Sequence, residues 1–268
     1  MGARFDQHFL KDISAVKRIC DQVDLDSCNT ESEANAPLAP PLVLEIGPGQ
    51  GVLTREMLHR GWQVHAIERD PLLIYPLQVQ FAKEIASSQL TLVQEDILKT
   101  SLDAISFEYV VSNLPYSISS QITFHLLEHQ FTEAVLMYQK EFADRMLAPI
   151  GSRECGRLTV MVQTFAYVTH CFDLPRQAFS PPPAVTSTVL KLQPKDPLFY
   201  IADRGVYASV VRELFSKRRK MVRSILALSA FAKEKVALAL SELDSEILDS
   251  RPEKLYLEDY ATISNILT

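Results

Sequence analysis

Short apolar runs alternate with amphipathic segments over the first two thirds of the chain. The apolar runs have the length of buried strands and span residues 42–46, 63–68, 90–94, 109–113 and 134–139. The amphipathic segments have apolar residues at helical spacing and span residues 13–23, 52–60, 71–86 and 119–129. Continuous apolar strands joined by helices are typical of a parallel sheet that is buried on both faces. The pattern therefore predicts a doubly wound α/β fold.

The segments outside this pattern indicate a loop and a second domain. Residues Asp26–Pro41 are polar and proline-rich without periodicity, which predicts a flexible loop. Three prolines at 181–183 form a rigid turn before a β-branched strand over 185–192. From about Pro197 the composition changes and the pattern is helical to the end. We therefore expect an α/β domain over 1–197 and a small helical domain over 198–268.

Positive charge is concentrated in one stretch of this helical domain. The whole chain has a net charge of −6, which by itself disfavours binding to nucleic acid. From Arg204 to Arg223, however, there are seven positive residues and one negative residue, whereas the chain from there to Thr268 has four positive and eight negative residues. An anionic partner is therefore expected at this stretch, and a solvated helix face is the alternative.

The cysteines and the apolar runs indicate the compartment. Four scattered cysteines form no C-x-x-C pair, so neither a disulfide framework nor a thiolate zinc site is expected; they are Cys20, Cys28, Cys155 and Cys171. No apolar run approaches the roughly 18 residues that span a bilayer, and residues 1–12 have no apolar core typical of a secretory signal. We expect a cytoplasmic protein that does not bind membranes.

Glycines and carboxylates follow the predicted strands. Gly47, Gly49 and Gly51 lie between the first strand and the next helix, where they allow a tight turn and a close approach of a ligand to the backbone. Glu68 ends the second strand, where a carboxylate can accept hydrogen bonds from both hydroxyls of a ribose, although it can also be merely solvated. Asp96 follows the third strand and either accepts from an adenine amino group or caps a helix.

The fourth strand ends in the sequence Asn113-Leu114-Pro115-Tyr116. The exocyclic amino group of adenine is a poor nucleophile because its lone pair is delocalised into the ring, and two acceptors that bind its N–H groups orient that lone pair. The side-chain oxygen of Asn113 is one such acceptor. Pro115 disfavours the helical conformation at Leu114, which can turn the Leu114 carbonyl into the site as the second. Tyr116 offers a flat face to an extruded base. An ordinary strand-end turn is the alternative.

These residues match a known family. The chain resembles the KsgA/RsmA-type rRNA adenine dimethyltransferases along nearly its whole length. The matching sequences are QHFLKD (7–12), LEIGPGQGVLT (44–54), IERD (67–70), EDIL (95–98), NLPYSIS (113–119), QKEFADRM (139–146), GRLTVMVQ (156–163) and AFSPPPAVTSTVLKL (178–192). Glycine loops are common, but NLPYSIS, QKE and F-S-P-P-P-x-V in this order are specific.

The resemblance implies a Rossmann-like domain that binds S-adenosylmethionine and a small helical C-terminal domain. It implies transfer of two methyl groups to N6 of each of two adjacent adenines near the 3′ end of small-subunit rRNA. Carried over by position, contacts to the cofactor fall on His8, Leu10, Gly47, Gly49, Glu68, Asp96 and Asn113. Asn113 to Tyr116 would hold the target adenine, and Phe179 would stack on its other face. His8 departs from the Asn of most bacterial members, and both side chains can donate a hydrogen bond.

The resemblance also implies partners. We expect a monomer that acts on small-subunit rRNA or on a pre-assembled small subunit, without a metal ion. The residues expected to contact RNA phosphates are Lys217, Arg218, Arg219, Lys220 and Arg223. One alternative is zinc binding by the H-x-x-E-H sequence at 125–129. Others are a purely structural role in ribosome assembly, a mitochondrial transcription factor, and the Erm branch that methylates large-subunit rRNA, whose members are typically strongly basic.

Overall fold

The computed structural model describes residues 8–25 and 40–268. Cys28 and all of the predicted loop except its last two prolines lie outside the described residues. Contacts divide the chain into two compact units: the first is Met1–Ala143 with Tyr167–Pro194, and the second is Asp144–Ala166 with Lys195–Thr268. This division differs from the boundary predicted near residue 197, because the segment Asp144–Ala166 packs with the C-terminal helices rather than with the sheet.

The described strands of the first unit form two sheets. In chain order the strands are β1 (Phe9–Leu10), β2 (Leu42–Ile46), β3 (Gln63–Glu68), β4 (Leu90–Gln94), β5 (Tyr109–Asn113), β6 (Glu133–Gln139), β7 (Ala166–Leu174), β8 (Phe179–Ser180) and β9 (Ser187–Pro194). The main sheet has the order β4-β3-β2-β5-β6-β9-β7, and β1 pairs with β8 in a second sheet. Neighbouring strands from β4 to β6 are parallel, and β9 is antiparallel to β6. The predicted mostly parallel, doubly wound fold is confirmed.

Among residues 8–25 and 40–268, helices occupy the predicted positions and several more. They are α1 (Ile13–Cys20), α2 (Val52–His59), α3 (Pro71–Gln80), α4 (Ala82–Ala86), α5 (Ser119–Leu126), α6 (Lys140–Leu147), α7 (Arg157–Phe165), α8 (Arg204–Ser216), α9 (Val222–Leu226), α10 (Lys233–Glu242), α11 (Ser245–Leu248) and α12 (Leu257–Leu267). The single helix predicted over 71–86 is two helices that meet at Phe81, whose side chain is buried. None of the described helices is both long enough and apolar enough to cross a membrane.

Strand β7 was not predicted because its sequence lacks a continuous apolar run. Only its first and last residues, Ala166 and Leu174, are buried, and the residues between them are half-buried or exposed. The strand lies at the edge of the sheet. An edge strand buries too little side-chain surface to leave a clear pattern in the sequence.

The second unit has its own core of tyrosines and aliphatic side chains. Tyr207 of α8 and Tyr260 of α12 are fully buried there. The hydroxyl groups of Tyr207 and of Thr164 on α7 lie 2.8 Å apart and share a hydrogen bond. The hydroxyl of Tyr207 is therefore satisfied inside this core, as burial requires.

A glycine turn fixes how α2 joins the first unit. Gly51, ahead of α2, has a positive φ of 73°, and a Cβ atom there would lie 2.5 Å from Cε2 of Phe81 and 2.9 Å from Cδ2 of Leu77. Only glycine combines this backbone conformation with so close an approach. The packing of α2 against the α3–α4 junction therefore depends on the absence of a side chain.

We expect Gly51→Ala to lower the free energy of unfolding by about 2–5 kcal/mol, since it adds a steric clash to the cost of a left-handed backbone. Gly61→Ala is the matched control, because Gly61 has a φ of 81° but a Cβ atom there would meet nothing within 4 Å. The control should cost only about 1–2 kcal/mol. Urea unfolding of both variants measures the difference, and equal losses would refute the packing role of Gly51.

Glu45 places a carboxyl group in the middle of the main sheet. The residue is 1% exposed, and its Oε2 accepts a 2.6 Å hydrogen bond from Oγ1 of Thr54. Burial raises the pKa of the Glu45 carboxyl to about 8, from 4.5. The folded protein therefore holds a proton that the unfolded chain releases above pH 4.5.

Stability should consequently fall as the pH rises from about 4.5 to about 8, with a slope approaching 1.4 kcal/mol per pH unit from Glu45 alone. We expect Glu45→Gln, which keeps an acceptor for Thr54, to remove this component. Urea unfolding between about pH 5 and pH 8.5 measures it, with exposed Glu108→Gln as the control. A pH profile unchanged by Glu45→Gln would contradict the assignment.

Candidate active site

The candidate active site is a cavity of about 450 Å³ in the first unit, at the carboxyl ends of β2, β3, β4 and β5. In a parallel sheet these ends meet at one edge, where ligands of α/β proteins bind. The cavity brings together all the residues that we predicted to contact the cofactor and the NLPY sequence, namely His8, Leu10, Gly47, Gly49, Glu68, Asp96, Asn113, Leu114, Pro115 and Tyr116.

The glycines after β2 have different neighbours. Gly47 has a φ of 69°, and a Cβ atom there would meet nothing within 4 Å, so its backbone borders open space in the cavity. At Gly49, a Cβ atom would lie 2.9 Å from Cδ1 of Phe9 on β1. The space beside Gly47 is thus available to a ligand, whereas the space beside Gly49 is taken by a ring of the protein itself.

Glu68 connects the end of β3 to this glycine turn. Its Oε2 accepts a 3.2 Å hydrogen bond from the N–H of Gly49, and its Oε1 accepts a 2.8 Å hydrogen bond from the N–H of Asp70. Burial raises the pKa of the Glu68 carboxyl, although these two backbone donors favour the charged form and lower it. Each carboxylate oxygen has a further lone pair for a ligand hydroxyl.

Asp96 follows β4 and faces the same cavity. Its Oδ1 accepts a 3.2 Å hydrogen bond from the N–H of Leu98, and its Oδ2 lies 3.6 Å from Nε of Arg69. The residues after Asp96 form a turn and not a helix. The alternative of a helix cap is therefore wrong, although the carboxylate does cap a turn.

The orientation of the Asn113 amide is set by the backbone of His8. Nδ2 of Asn113 donates a 2.9 Å hydrogen bond to the carbonyl oxygen of His8. Because Nδ2 is the only donor atom of this amide, Oδ1 is left as the acceptor that can face a ligand. Nδ1 of His8 lies 2.9 Å from the carbonyl oxygen of Pro181, which can only accept, so Nδ1 carries the proton. His8 directly precedes Phe9 of β1, so the pairing of β1 with β8 holds the His8 backbone in this position.

Tyr116 is held at the rim of the cavity by two contacts. It lies in a short 3-10 turn, Tyr116–Ile118, that follows Pro115. Its hydroxyl lies 2.6 Å from Oγ of Ser187, and its ring lies 5.8 Å from the His8 ring at an interplanar angle of 31°. The tyrosine is therefore bonded at its hydroxyl end and has the His8 ring beside it.

Phe179 is not placed as predicted. Its side chain is fully buried in the core of the first unit and does not line the cavity. It lies on β8, where it pairs with Leu10 of β1. The sequence could not distinguish a stacking ring from a core ring. In this conformation Phe179 supports the β1–β8 pair and offers no face to a base.

The two histidines of the H-x-x-E-H sequence lie side by side, with their ring centroids 5.2 Å apart. Nε2 of His125 lies 3.2 Å from the carbonyl oxygen of Thr100, and Nδ1 of His129 lies 3.0 Å from Oδ1 of Asp103. No group of three or more possible metal ligands occurs among residues 8–25 and 40–268. The geometry does not support a zinc site here.

Several cavity residues were not predicted. Arg69 and Asp70 directly follow Glu68, and Leu73 lies in the first turn of α3. Phe9 comes from a strand of two residues, which is too short to leave a periodic signal. Arg69 and Asp70 could have been identified as cavity residues because they directly follow Glu68, the predicted strand-end carboxylate.

The basic stretch of the second unit, from Arg204 to Arg223, is partly neutralised by ion pairs. Lys217 pairs with Glu213 at 2.5 Å, and Arg223 pairs with Asp249 at 2.6 Å. Nη2 of Arg218 donates a 2.8 Å hydrogen bond to the carbonyl oxygen of Arg153. The two remaining predicted residues, Arg219 and Lys220, are exposed. The five residues predicted to contact phosphates therefore differ: three already bind partners in the protein, and two are exposed.

Comparison with known proteins identifies the family of the chain. The sequence matches the family described as "Ribosomal RNA adenine dimethylase" over residues 2–268. It is 53% identical to a Methanospirillum hungatei protein over the full length of both chains, and 38% identical to a Methanosarcina mazei protein over 99% of this chain and 93% of the other. Both are named "Probable ribosomal RNA small subunit methyltransferase A".

Two solved structures resemble the protein over nearly its whole length. A dimethyladenosine transferase from Plasmodium falciparum has a TM-score of 0.73 and 28% identity, covering 96% of both chains. The 23S rRNA methyltransferase ErmE has a TM-score of 0.65 and 26% identity, covering 97% of this chain and 99% of the other. The resemblance seen in the sequence is confirmed: the chain belongs to the ribosomal RNA adenine dimethylase family.

Proposed function

We propose that the protein transfers methyl groups from S-adenosylmethionine to N6 of adenines in small-subunit rRNA and forms N6,N6-dimethyladenosine. The observation that carries this proposal is the Asn113 amide, which is turned by the His8 carbonyl so that its oxygen is available in the cavity. The two adjacent adenines near the 3′ end are the expected targets, in free rRNA or in a pre-assembled subunit.

The residues of the cavity suit S-adenosylmethionine, which supplies a methyl group on a positively charged sulfonium. Glu68 accepts hydrogen bonds from the ribose hydroxyls, as its position at the end of β3 allows. Asp96 accepts from the amino group of the cofactor adenine. The open space beside Gly47 lets the ligand approach the backbone. His8 and Leu10 close the same cavity from the β1 side.

The substrate adenine leaves its stack at a cost of a few kcal/mol and lies against Tyr116. Its two N6 hydrogens bind Oδ1 of Asn113 and the carbonyl oxygen of Leu114, whose buried side chain anchors the turn. This orients the nitrogen lone pair toward the methyl group, and N6 then attacks in line. The amino proton becomes acidic only as the new bond forms, so the site needs no strong base.

The basic stretch of the second unit binds the RNA backbone in this proposal. Arg219 and Lys220 contribute most, because their side chains are exposed. Lys217, Arg218 and Arg223 contribute less, since binding a phosphate has to compete with their partners in the protein.

The direct test is transfer of labelled methyl groups to undermethylated small subunits, with mapping of the modified bases. Methylation of large-subunit rRNA instead would favour an Erm-type activity, and binding without transfer would favour a structural role in assembly.

Asn113→Ala should reduce methyl transfer at least about 100-fold, because it removes both an acceptor for N6 and the hydrogen bond to His8. Binding of S-adenosylmethionine should weaken less than about tenfold, the effect of one ordinary hydrogen bond. Glu68→Gln is the complementary variant: it should weaken cofactor binding more than it slows transfer at saturating cofactor. Calorimetry and single-turnover assays separate the two effects. Near wild-type transfer by Asn113→Ala would refute its role.

Replacing Lys217, Arg218, Arg219 and Lys220 with Ala should weaken RNA binding and flatten its dependence on salt, by about 0.7–0.9 in slope for each phosphate that is no longer bound. The double variant of Arg219 and Lys220 should account for most of the change. The control is a second double variant in which Lys233 and Lys235, elsewhere in the second unit, are replaced with Ala. It removes the same charge as the double variant of Arg219 and Lys220. Filter binding at several salt concentrations measures the slope, and an unchanged slope in the fourfold variant would contradict the assignment.

A further inference from the structure

Ser187 does not line the cavity, yet it holds the residue that faces the target base. It lies at the start of β9, is fully buried, and is paired with Gln139 of β6. Its hydroxyl shares a 2.6 Å hydrogen bond with the hydroxyl of Tyr116. Tyr116 itself is only half-buried and lines the cavity. A buried, rigid strand therefore supports a ring that is partly open to the site.

This hydrogen bond acts at the point where the ring has most freedom. A tyrosine ring turns about two side-chain bonds, and its hydroxyl is the atom farthest from the backbone. The backbone at Tyr116 follows the extended residue Pro115, which has a φ of −61° and a ψ of 120°. Fixing the hydroxyl on Ser187 therefore fixes the direction of the ring's long axis relative to the acceptors at Asn113 and Leu114.

The need for a fixed ring differs between the two methyl transfers. In each transfer a bond forms between N6 and the methyl carbon, the carbon–sulfur bond of the donor breaks with its electron pair left on sulfur, and one N6 proton passes to water. The unmodified adenine has two N6 hydrogens for the acceptors at Asn113 and Leu114. After the first transfer only one hydrogen is left, so one acceptor loses its partner and faces a methyl group.

We propose that Ser187 is a positioning residue for the second methyl transfer and acts by locking the Tyr116 ring on which the base stacks. The monomethylated base is held by one hydrogen bond fewer, so stacking contributes a larger share of its orientation. A loosened ring should then slow the second transfer more than the first. This inference rests on the proposed function, and it adds a residue that affects the ratio of monomethylated to dimethylated product.

The test measures both products in one reaction. The full-length protein methylates undermethylated small subunits with S-adenosylmethionine, and N6-monomethyladenosine and N6,N6-dimethyladenosine are quantified by mass spectrometry after nuclease digestion at successive times. We expect Ser187→Ala to slow the second transfer about 2- to 10-fold relative to the first, the range that the loss of one hydrogen bond allows. The monomethylated product should accumulate accordingly.

Tyr116→Phe keeps the ring but removes the same hydrogen bond, so it should shift the product ratio in the same direction. Adding Ser187→Ala to Tyr116→Phe should then change the ratio little further. Thr188→Val is the matched control. Thr188 is the next residue of β9, is equally buried, and donates its 2.8 Å hydrogen bond to Oδ1 of Asp173 rather than to Tyr116. It should leave the ratio unchanged.

Several results would overturn the inference. An unchanged ratio in folded Ser187→Ala, equal slowing of both transfers, or the same shift in Thr188→Val would each show that Ser187 has only a structural role. If Ser187→Ala did not fold, an unchanged ratio in Tyr116→Phe would be decisive by itself. If the wild-type protein transferred no methyl group, the proposed function would fail and this inference with it. If wild type and Ser187→Ala both formed dimethyladenosine with the same ratio of monomethylated to dimethylated product, only the inference would be refuted.

Discussion

The site depends on the hydrogen bond from the Asn113 amide to the carbonyl oxygen of His8. An amide has one donor end and one acceptor end, and fixing the donor determines what the acceptor can do. Here Nδ2 of Asn113 donates to the protein itself, so Oδ1 is the end of the amide that is available in the cavity. The bond joins the end of a central strand to a segment near the N-terminus, 105 residues away in sequence. The orientation of the Asn113 amide at the end of β5 therefore depends on the segment that leads into the β1–β8 pair.

The surrounding residues show how a small number of backbone constraints organise the cavity. Glu68 accepts hydrogen bonds from the N–H groups of Gly49 and Asp70, so its carboxylate joins the turn after β2 to the end of β3. Gly49 in turn packs on the ring of Phe9. Tyr116 is tied to β9 through Ser187. These cavity-lining groups are thus supported by contacts with other parts of the fold.

Buried acidic groups in this region also link the site to stability. Glu45 is protonated over a wide pH range because water is excluded from the centre of the sheet, and Glu68 is shifted in the same direction more weakly because backbone N–H groups stabilise its charge. The two carboxyls are on adjacent strands, and the charge of Glu68 adds to the cost of ionising Glu45. One neutral and one charged carboxyl are therefore easier to accommodate here than two charged ones.

The order of residues along the chain was enough to predict the parallel strands, the strand-end turn at Asn113 and the acidic residues at Glu68 and Asp96. Strands buried on both faces leave continuous apolar runs, and their ends must meet at one edge. Three features could not be predicted in this way: Phe179 lies in the core, the segment Asp144–Ala166 packs with the C-terminal helices, and Ser187 is hydrogen-bonded to Tyr116. These features rest on contacts between residues far apart in the chain. Local periodicity carries no information about which distant side chain fills a given space, so these features become visible only in the folded protein.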